Sequence, residues 1–379
     1  MAKIETNKII RLSKSSITDA EKRAVMQVLD HEYLGMGAEV QLFEQELTKF
    51  FRRPTVCVAN GTAALHLSLQ AVGIGAGDEV LVQSLTYVAS FQAISATGAI
   101  PVACDVDPVT LCLDWQDAES RLTPKTKAVM PVHYAGGVGA LDEIYAFAEK
   151  HGLRVIEDAA HAFGSEYNGR KIGSFGDVAC FSFDGIKNIT CGEGGCIVTN
   201  DKNILQKVRD SRLLGVERDT EKRYSGERSW GFDVGAQGWR YHMSNIMAAI
   251  GVEQLERFPE LSNKRKQLVK LYDELLAGVS QVKPISNDYS RIVPHIYVVL
   301  LENTIDRVVL EQQLSESGIQ TGIHYYPNHW LSLYHNSDVL IPTVDAVYPR
   351  LISLPLHTDL TREEVKRVCK ELKRCVNEY

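Results

Sequence analysis

One lysine of this 379-residue chain stands in a setting where its amine could do chemistry. Lys187 lies in FSFDGIKNITCGEGGCIVTN (181–200), in a short connection between two apolar runs. Gly192, Glu193, Gly194 and Gly195 follow it. A lysine so placed is partly desolvated, and desolvation lowers its pKa toward the nucleophilic free amine. Such amines form Schiff bases with aldehydes, pyridoxal phosphate among them. The glycines let backbone pass close to a flat ligand. On spacing alone, an ordinary loop lysine beside a glycine-rich hairpin fits slightly better.

Asp158 changes that balance. It ends the apolar run RVIED, at a carboxyl end where open α/β sheets place ligands. A carboxylate there suits a protonated pyridine nitrogen and keeps the ring an electron sink. The plain alternative is a helix cap, by Asp158 or Glu157, for a helix starting at Ala159. His161 fits a local hydrogen-bonder better than a catalyst. NGTAALHLSL (60–69) puts Asn60, Gly61 and Thr62 at a strand-to-helix turn, where free N–H groups attract phosphate. Simple capping explains it equally well. Ser182 is a second phosphate donor candidate. Tyr87, in SLTYVAS (84–90), could stack on a ring, but taken alone it fits core packing better. GIGAGDEV (73–80) precedes a strand instead of following one, so it is not a dinucleotide fingerprint.

Strands alternating with helices must position these residues. TVCVAN (55–60), EVLVQ (79–83), IPVACDVD (100–107), KAVMPVHY (127–134), RVIEDAA (154–160), DVACFSF (177–183) and GCIVTN (195–200) read as strands. Helices are expected over 62–72, 87–97, 141–151 and 203–214. This alternation predicts a mostly parallel sheet covered on both faces. Residues 217–239 read as a long functional loop, and 244–277 as a helical stretch broken near Pro259. A strand over 295–301 and helices over 305–317 and 362–376 suggest a smaller α+β domain. The expected division is 1–255 and 256–379.

Composition narrows the class. The chain is 45% hydrophobic and 23% charged, ordinary for a globular protein. Its 41 basic and 48 acidic residues give −7, which argues against non-specific nucleic-acid binding. No apolar run approaches the roughly 18 residues of a membrane span. The N-terminus has no apolar signal region, and none of the eight cysteines forms a C-x-x-C pair. Buried free thiols in a reducing cytoplasm are the expectation, with no metal site.

Together these runs resemble the DegT/StrS family of pyridoxal-phosphate-dependent nucleotide-sugar aminotransferases. The likeness begins at YLGMGAEVQLFEQEL (33–47) and continues through the motifs above. It resumes at YHMSNIMAAIGVEQLERF (241–258), TGIHYYP (321–327) and SLPLHTDLT (353–361). The resemblance implies an α/β fold of the aspartate-aminotransferase type (fold type I) with a small C-terminal domain. It also implies a homodimer with shared active sites.

By position, Lys187 matches the Schiff-base lysine and Asp158 the pyridine-nitrogen acid. Gly61, Thr62 and Ser182 match the phosphate contacts, Tyr87 the ring-stacking aromatic, and His161 the residue near the 3-hydroxyl. Asp184 stands where many members have His. Arg240-Tyr241-His242-Met243-Ser244 replaces Asn-Tyr-Arg-Met-Ser. The family's Asn reaches the neighbouring subunit's phosphate, and Arg240 is expected to do so with a full charge. His324, Tyr325 and Tyr326 are substrate-contact candidates. The implied reaction moves an amino group from L-glutamate to a nucleoside-diphosphate keto sugar, at C4 of a dTDP- or UDP-4-keto-6-deoxyhexose. A 3-keto sugar, a keto-cyclitol, a dehydration, or a non-catalytic binding module are the alternatives. Retention of Lys187 favours amino transfer.

Overall fold

The computed structural model describes residues 9–228 and 230–377. Two helices come first, α1 (Asp19–Asp30) and α2 (Ala38–Phe51). Helix α1 starts on a capping box: Thr18 accepts from the first turn, and Glu21 returns a bond to the Thr18 N–H at 2.7 Å.

Among the described residues, seven strands then build the central sheet. They are β1 (Thr55–Val58), β2 (Glu79–Gln83), β3 (Ile100–Cys104), β4 (Thr126–Met130), β5 (Arg154–Asp158), β8 (Val178–Ser182) and β9 (Gly195–Val198). A small hairpin, β6 (Glu166–Tyr167) and β7 (Arg170–Lys171), sits apart. The sheet order is β1-β9-β8-β5-β4-β2-β3. Only β9 runs against the rest. Their near-continuous apolar runs follow from burial on both faces. Helices α3 (Gly61–Ala71), α4 (Ala89–Ala96), α5 (Trp115–Ser120) and α6 (Leu141–His151) connect the strands, and α7 (Lys202–Ser211) follows them. On one side, Leu65, Leu67 and Leu69 of α3 pack on Val56, Ile156 and Val178. On the other, Phe43, Leu47 and Phe51 of α2 meet Phe163, Phe181 and Phe183.

Three local expectations are corrected. The helix predicted from Tyr87 begins at Ala89. Asn328 Nδ2 donates to the Ser84 and Thr86 carbonyls, at 3.0 and 2.7 Å, and holds this stretch as a turn. The 217–239 segment contains a short helix, α8 (Asp219–Tyr224), braced by an Asp219–Arg223 ion pair of 2.7 Å. Pro259 does not break α9 (Asn245–Leu276). It costs one backbone bond, but Phe258 and Leu261 are both buried in the aromatic core and hold the helix through.

Helix α9 runs across residues 255 and 256. Its early turns pack on α1 and α2, and it also packs on α12 (Arg362–Val376). The C-terminal part is an antiparallel sheet of β10 (Val282–Pro284), β11 (Tyr297–Leu301) and β12 (Leu351–Leu354). Helices α10 (Arg307–Glu316) and α12 cover it, and α11 (Pro342–Val347) lies between. None of the described helices is long and apolar enough to cross a membrane.

Candidate active site

The parallel strands end on one edge of the sheet, and a cavity of about 460 Å³ opens there. Asn60, Gly61 and Thr62 line it from the end of β1, and Thr86 and Tyr87 from beyond β2. Asp158 and His161 come from β5, Ser182 from β8, and Asp184, Lys187 and Glu193 from the connection to β9. His324 and Tyr325 arrive from the C-terminal part. Lys187, Asp158, Gly61, Thr62, Ser182, Tyr87 and His161 are thus brought together, with two of the three substrate-contact candidates. Tyr326 is not among the lining residues. It is 51% exposed, with its ring against Trp330 and Tyr348. Arg240 is also outside the cavity, exposed, in a single bridge to Leu213.

Asp158 does not start a helix at Ala159, because a turn follows β5. Its Oδ1 accepts from the Ala160 N–H at 3.2 Å, and its Oδ2 from the Ser90 hydroxyl at 2.7 Å. Thr86 Oγ1 lies 3.0 Å from Ser90 Oγ. The carboxylate is buried and held from two sides. At the end of β1, Asn60 caps α3 by accepting from the Ala63 N–H at 2.8 Å. The N–H groups of the residues before Ala63 are left at a positive helix end. Gly195 must be glycine, since a Cβ there would stand 2.6 Å from the Asn60 carbonyl.

Burial lowers the Lys187 amine to a pKa of about 8, against the opposing pull of Asp158 and Asp184. Arg265 adds to the lowering. An amine so tuned exchanges a proton near neutral pH. His161 Nδ1 accepts from the Ala135 N–H at 3.3 Å, so its Nε2–H faces the Tyr325 hydroxyl at 2.8 Å. Burial pushes His161 well below its ordinary range, and His324 to about 4. Glu193 is raised, by burial first and by Asp184 second. Tyr87 is 59% exposed at the rim, its ring 5.6 Å from that of Tyr325. It is therefore not a core residue.

Sequence reasoning missed Ser90, His295 and Arg265. Ser90 stood inside SLTYVAS, but its pairing with Asp158 spans 68 residues. In the sequence His295 is only the start of a strand, yet its ring reaches Lys187 Nζ at 3.4 Å across 108 residues.

The mixed sheet with its single reversed strand, and the small α/β unit behind it, form the aspartate-aminotransferase-like fold, fold type I. Its lysine and aspartate share one cleft at the strands' carboxyl ends. The chain belongs to the DegT/DnrJ/EryC1/StrS aminotransferase family, whose model matches residues 15–373.

It is 35% identical over 373 residues to an uncharacterized protein of Methanocaldococcus jannaschii, covering 96% of each chain. It superposes on Spr1654 of Streptococcus pneumoniae, described provisionally as a sugar aminotransferase and solved in its PMP form. That match has a TM-score of 0.91 and 31% identity, over 98% of each chain. A PLP form of Spr1654 is also known. Helicobacter pylori PseC, an aminotransferase involved in pseudoaminic acid biosynthesis, gives a TM-score of 0.92. Its identity is 26%, over 98% of this chain and all of that one.

Proposed function

We propose that this protein is a pyridoxal 5′-phosphate-dependent aminotransferase that moves an amino group from L-glutamate to a nucleoside-diphosphate keto sugar. The acceptor carbon is C4 of a dTDP- or UDP-4-keto-6-deoxyhexose. The observation that carries the reading is the Lys187 amine, lowered to about 8, in the same cavity as the braced carboxylate of Asp158.

The residues present fit the cofactor. A Cβ on Gly61 would stand 2.8 Å from Ser182 Cβ and close the gap between the α3 end and the β8 end. Gly61, Thr62 and Ser182 would hold the phosphate, and Asp158 the ring nitrogen. Tyr87 would cover the ring face, His161 would face the 3-hydroxyl, and Lys187 would bind the aldehyde carbon. When bound, the cofactor supplies an electron sink for the electrons left as an amino acid's α-carbon loses its proton. Lys187 Nζ takes up and returns that proton, and its pKa near 8 keeps both forms accessible. Asp158, held by Ser90 and Ala160, keeps a cationic ring nitrogen charged. His324 and Tyr325 contact the sugar.

The same reading includes a homodimer with shared sites and a division into domains at 255/256. In the dimer, Arg240 serves the phosphate in the neighbouring subunit. Its place outside its own chain's cavity supports this. So do the exposed Met26, Leu29 and Leu42 on α1 and α2. All eight cysteines are buried as thiols, which supports a cytoplasmic setting.

The test is spectroscopic. L-glutamate is expected to bleach the visible band of the cofactor-loaded protein, and one member of a panel of nucleotide keto sugars to restore it. A band that glutamate never bleaches sinks the donor assignment. A bleached band that no keto sugar restores sinks the acceptor.

A further inference from the structure

Among the described residues, the one side-chain hydrogen-bond partner of Lys187 Nζ is His295 Nε2, at 3.4 Å. Asp158 and Asp184 act on the amine through space. His295 is buried, 2% exposed, and locked at both backbone groups. Its N–H donates to the Ala135 carbonyl at 3.3 Å, and its carbonyl accepts from Arg265 Nη1 at 3.0 Å. Arg265 Nη2 donates at 3.5 Å to the carbonyl of Ile186, the residue before Lys187. One guanidinium on α9 therefore holds the backbones of both the histidine and the lysine segment. The His295 ring lies against His161, with centroids 4.3 Å apart, and its Nδ1 is buried without a partner.

This arrangement suits a group that must both gain and lose a proton. A neutral imidazole accepts from a protonated amine through one tautomer and donates to an unprotonated amine through the other. A carboxylate in the same place only accepts, and would hold the amine charged. His295 stays neutral because burial pushes it far below its ordinary range. Lys187, His161, Arg265 and His324, which face it, add to that. Arg265 stays charged, but it too is held by neutral acceptors. It makes its bonds to carbonyl oxygens, and burial lowers it to about 10.

We infer that His295 is a positioning residue for the Lys187 amine, its hydrogen-bond partner in both protonation states, with Arg265 fixing the distance between them. The inference rests on Lys187 being the reactive lysine proposed above.

The test uses the full-length chain, freed of bound aldehyde by dialysis against hydroxylamine. Acetylation of Lys187 by acetic anhydride is followed against pH by peptide mass spectrometry. The wild-type midpoint is expected at about 8. His295→Phe keeps a ring and loses both nitrogens. The buried ammonium then loses more than the free amine, and the midpoint falls by about one unit. His295→Gln, whose amide both accepts and donates, stays within roughly a third of a unit of wild type. Arg265→Lys keeps the charge but not the reach to two carbonyls. It moves the midpoint the same way by about half as much. An unmoved midpoint in His295→Phe overturns the inference. If that variant does not fold, a wild-type midpoint in Arg265→Lys overturns it instead. A separate arm treats the wild type with pyridoxal phosphate and then borohydride. Lys187 left unmodified there refutes the proposed function, while the acetylation profile still decides the role of His295.

Discussion

Arg212 and Arg265 are both buried, yet they live in opposite settings. Arg212 meets a carboxylate: its Nη1 donates to Glu44 Oε1 and to the Cys57 carbonyl, each at 2.5 Å. Its Nη2 donates to the Tyr224 hydroxyl at 3.0 Å, and that hydroxyl donates to Glu44 Oε2. Burial pulls Arg212 down, but Glu44 and Tyr224 together outweigh it and the guanidinium ends above its ordinary value. Arg265, beside Lys187, bonds to carbonyl oxygens and is lowered. The first cluster closes its charges and fastens α2, β1 and α8 together. The second, among the described residues, holds cations and neutral histidines without a hydrogen-bonded carboxylate. The contrast teaches that one cluster is built to stay put and the other to let a proton go.

Breaking the second cluster at its centre carries the largest expected effect. Lys187→Ala should lower amino transfer by at least roughly 10⁴-fold, about 5 kcal/mol of transition-state free energy. Single-turnover kinetics with L-glutamate measures it, and a turnover within tenfold of wild type excludes Lys187 as the reactive lysine. Breaking the first cluster should act on stability and not on chemistry. Glu44→Ala strands a buried guanidinium and removes the acceptor of the Cys57 N–H, which it holds at 2.8 Å. The expected cost is about 4 kcal/mol in urea unfolding, with the acetylation midpoint of Lys187 unchanged. A mild loss of stability would mean that Arg212 finds other partners.

The second cluster also gives stability a pH dependence of definite sign. Lys187 is lowered from 10.5 to about 8 in the folded protein. Below pH 8 both states carry the proton, and the folded state bears the full cost of the charge. Between about 8 and 10.5 the unfolded chain binds the extra proton, so stability rises with pH. Above 10.5 the cost is gone. In chain freed of bound aldehyde, Lys187→Met should therefore be more stable than wild type at pH 7 by about 2 kcal/mol. Solvent in the open cavity that the amine lines screens part of the cost. The gain should fade as pH approaches 10.5. A constant difference across that range would show that packing, and not charge, separates the two proteins.

The wall of the site that sits on the sheet was legible in the sequence, because each of its residues follows an apolar run within a few positions. Asp158 and Ser182 end apolar strands and Asn60 lies two residues past one, where the apolar run gives way to polar residues. The facing wall was legible only in part: the family resemblance pointed to His324 and Tyr325, but not to the pairs that hold that wall in place. Tyr325 meets His161 across 164 residues, and His295 meets Lys187 across 108. No local spacing encodes such pairs. Helix α1 is a different case. Thr18 and Glu21 carry its capping-box signature, but the polar surroundings masked it. At Tyr87 and Pro259 tertiary partners overrode sound local rules, one through Asn328 and the other through Phe258 and Leu261.

The smallest expected effect sharpens the comparison most, because it asks whether the carboxylate facing the lysine is itself positioned. Ser90 is buried on α4, and its hydroxyl donates to Asp158 Oδ2 at 2.7 Å. Ser90→Ala suits the helix and removes one hydrogen bond to a charged acceptor. The carboxylate then turns more freely and pairs less well with a cationic ring nitrogen. Loss of about 1 kcal/mol corresponds to a roughly five-fold rise in the dissociation constant of pyridoxal phosphate. Ser90→Thr restores the hydroxyl and should recover most of the affinity. Fluorescence titration of the two variants measures both numbers. If alanine binds as tightly as serine, the Ala160 N–H alone orients Asp158, and the hydroxyl pair of Thr86 and Ser90 only fills space beneath the site.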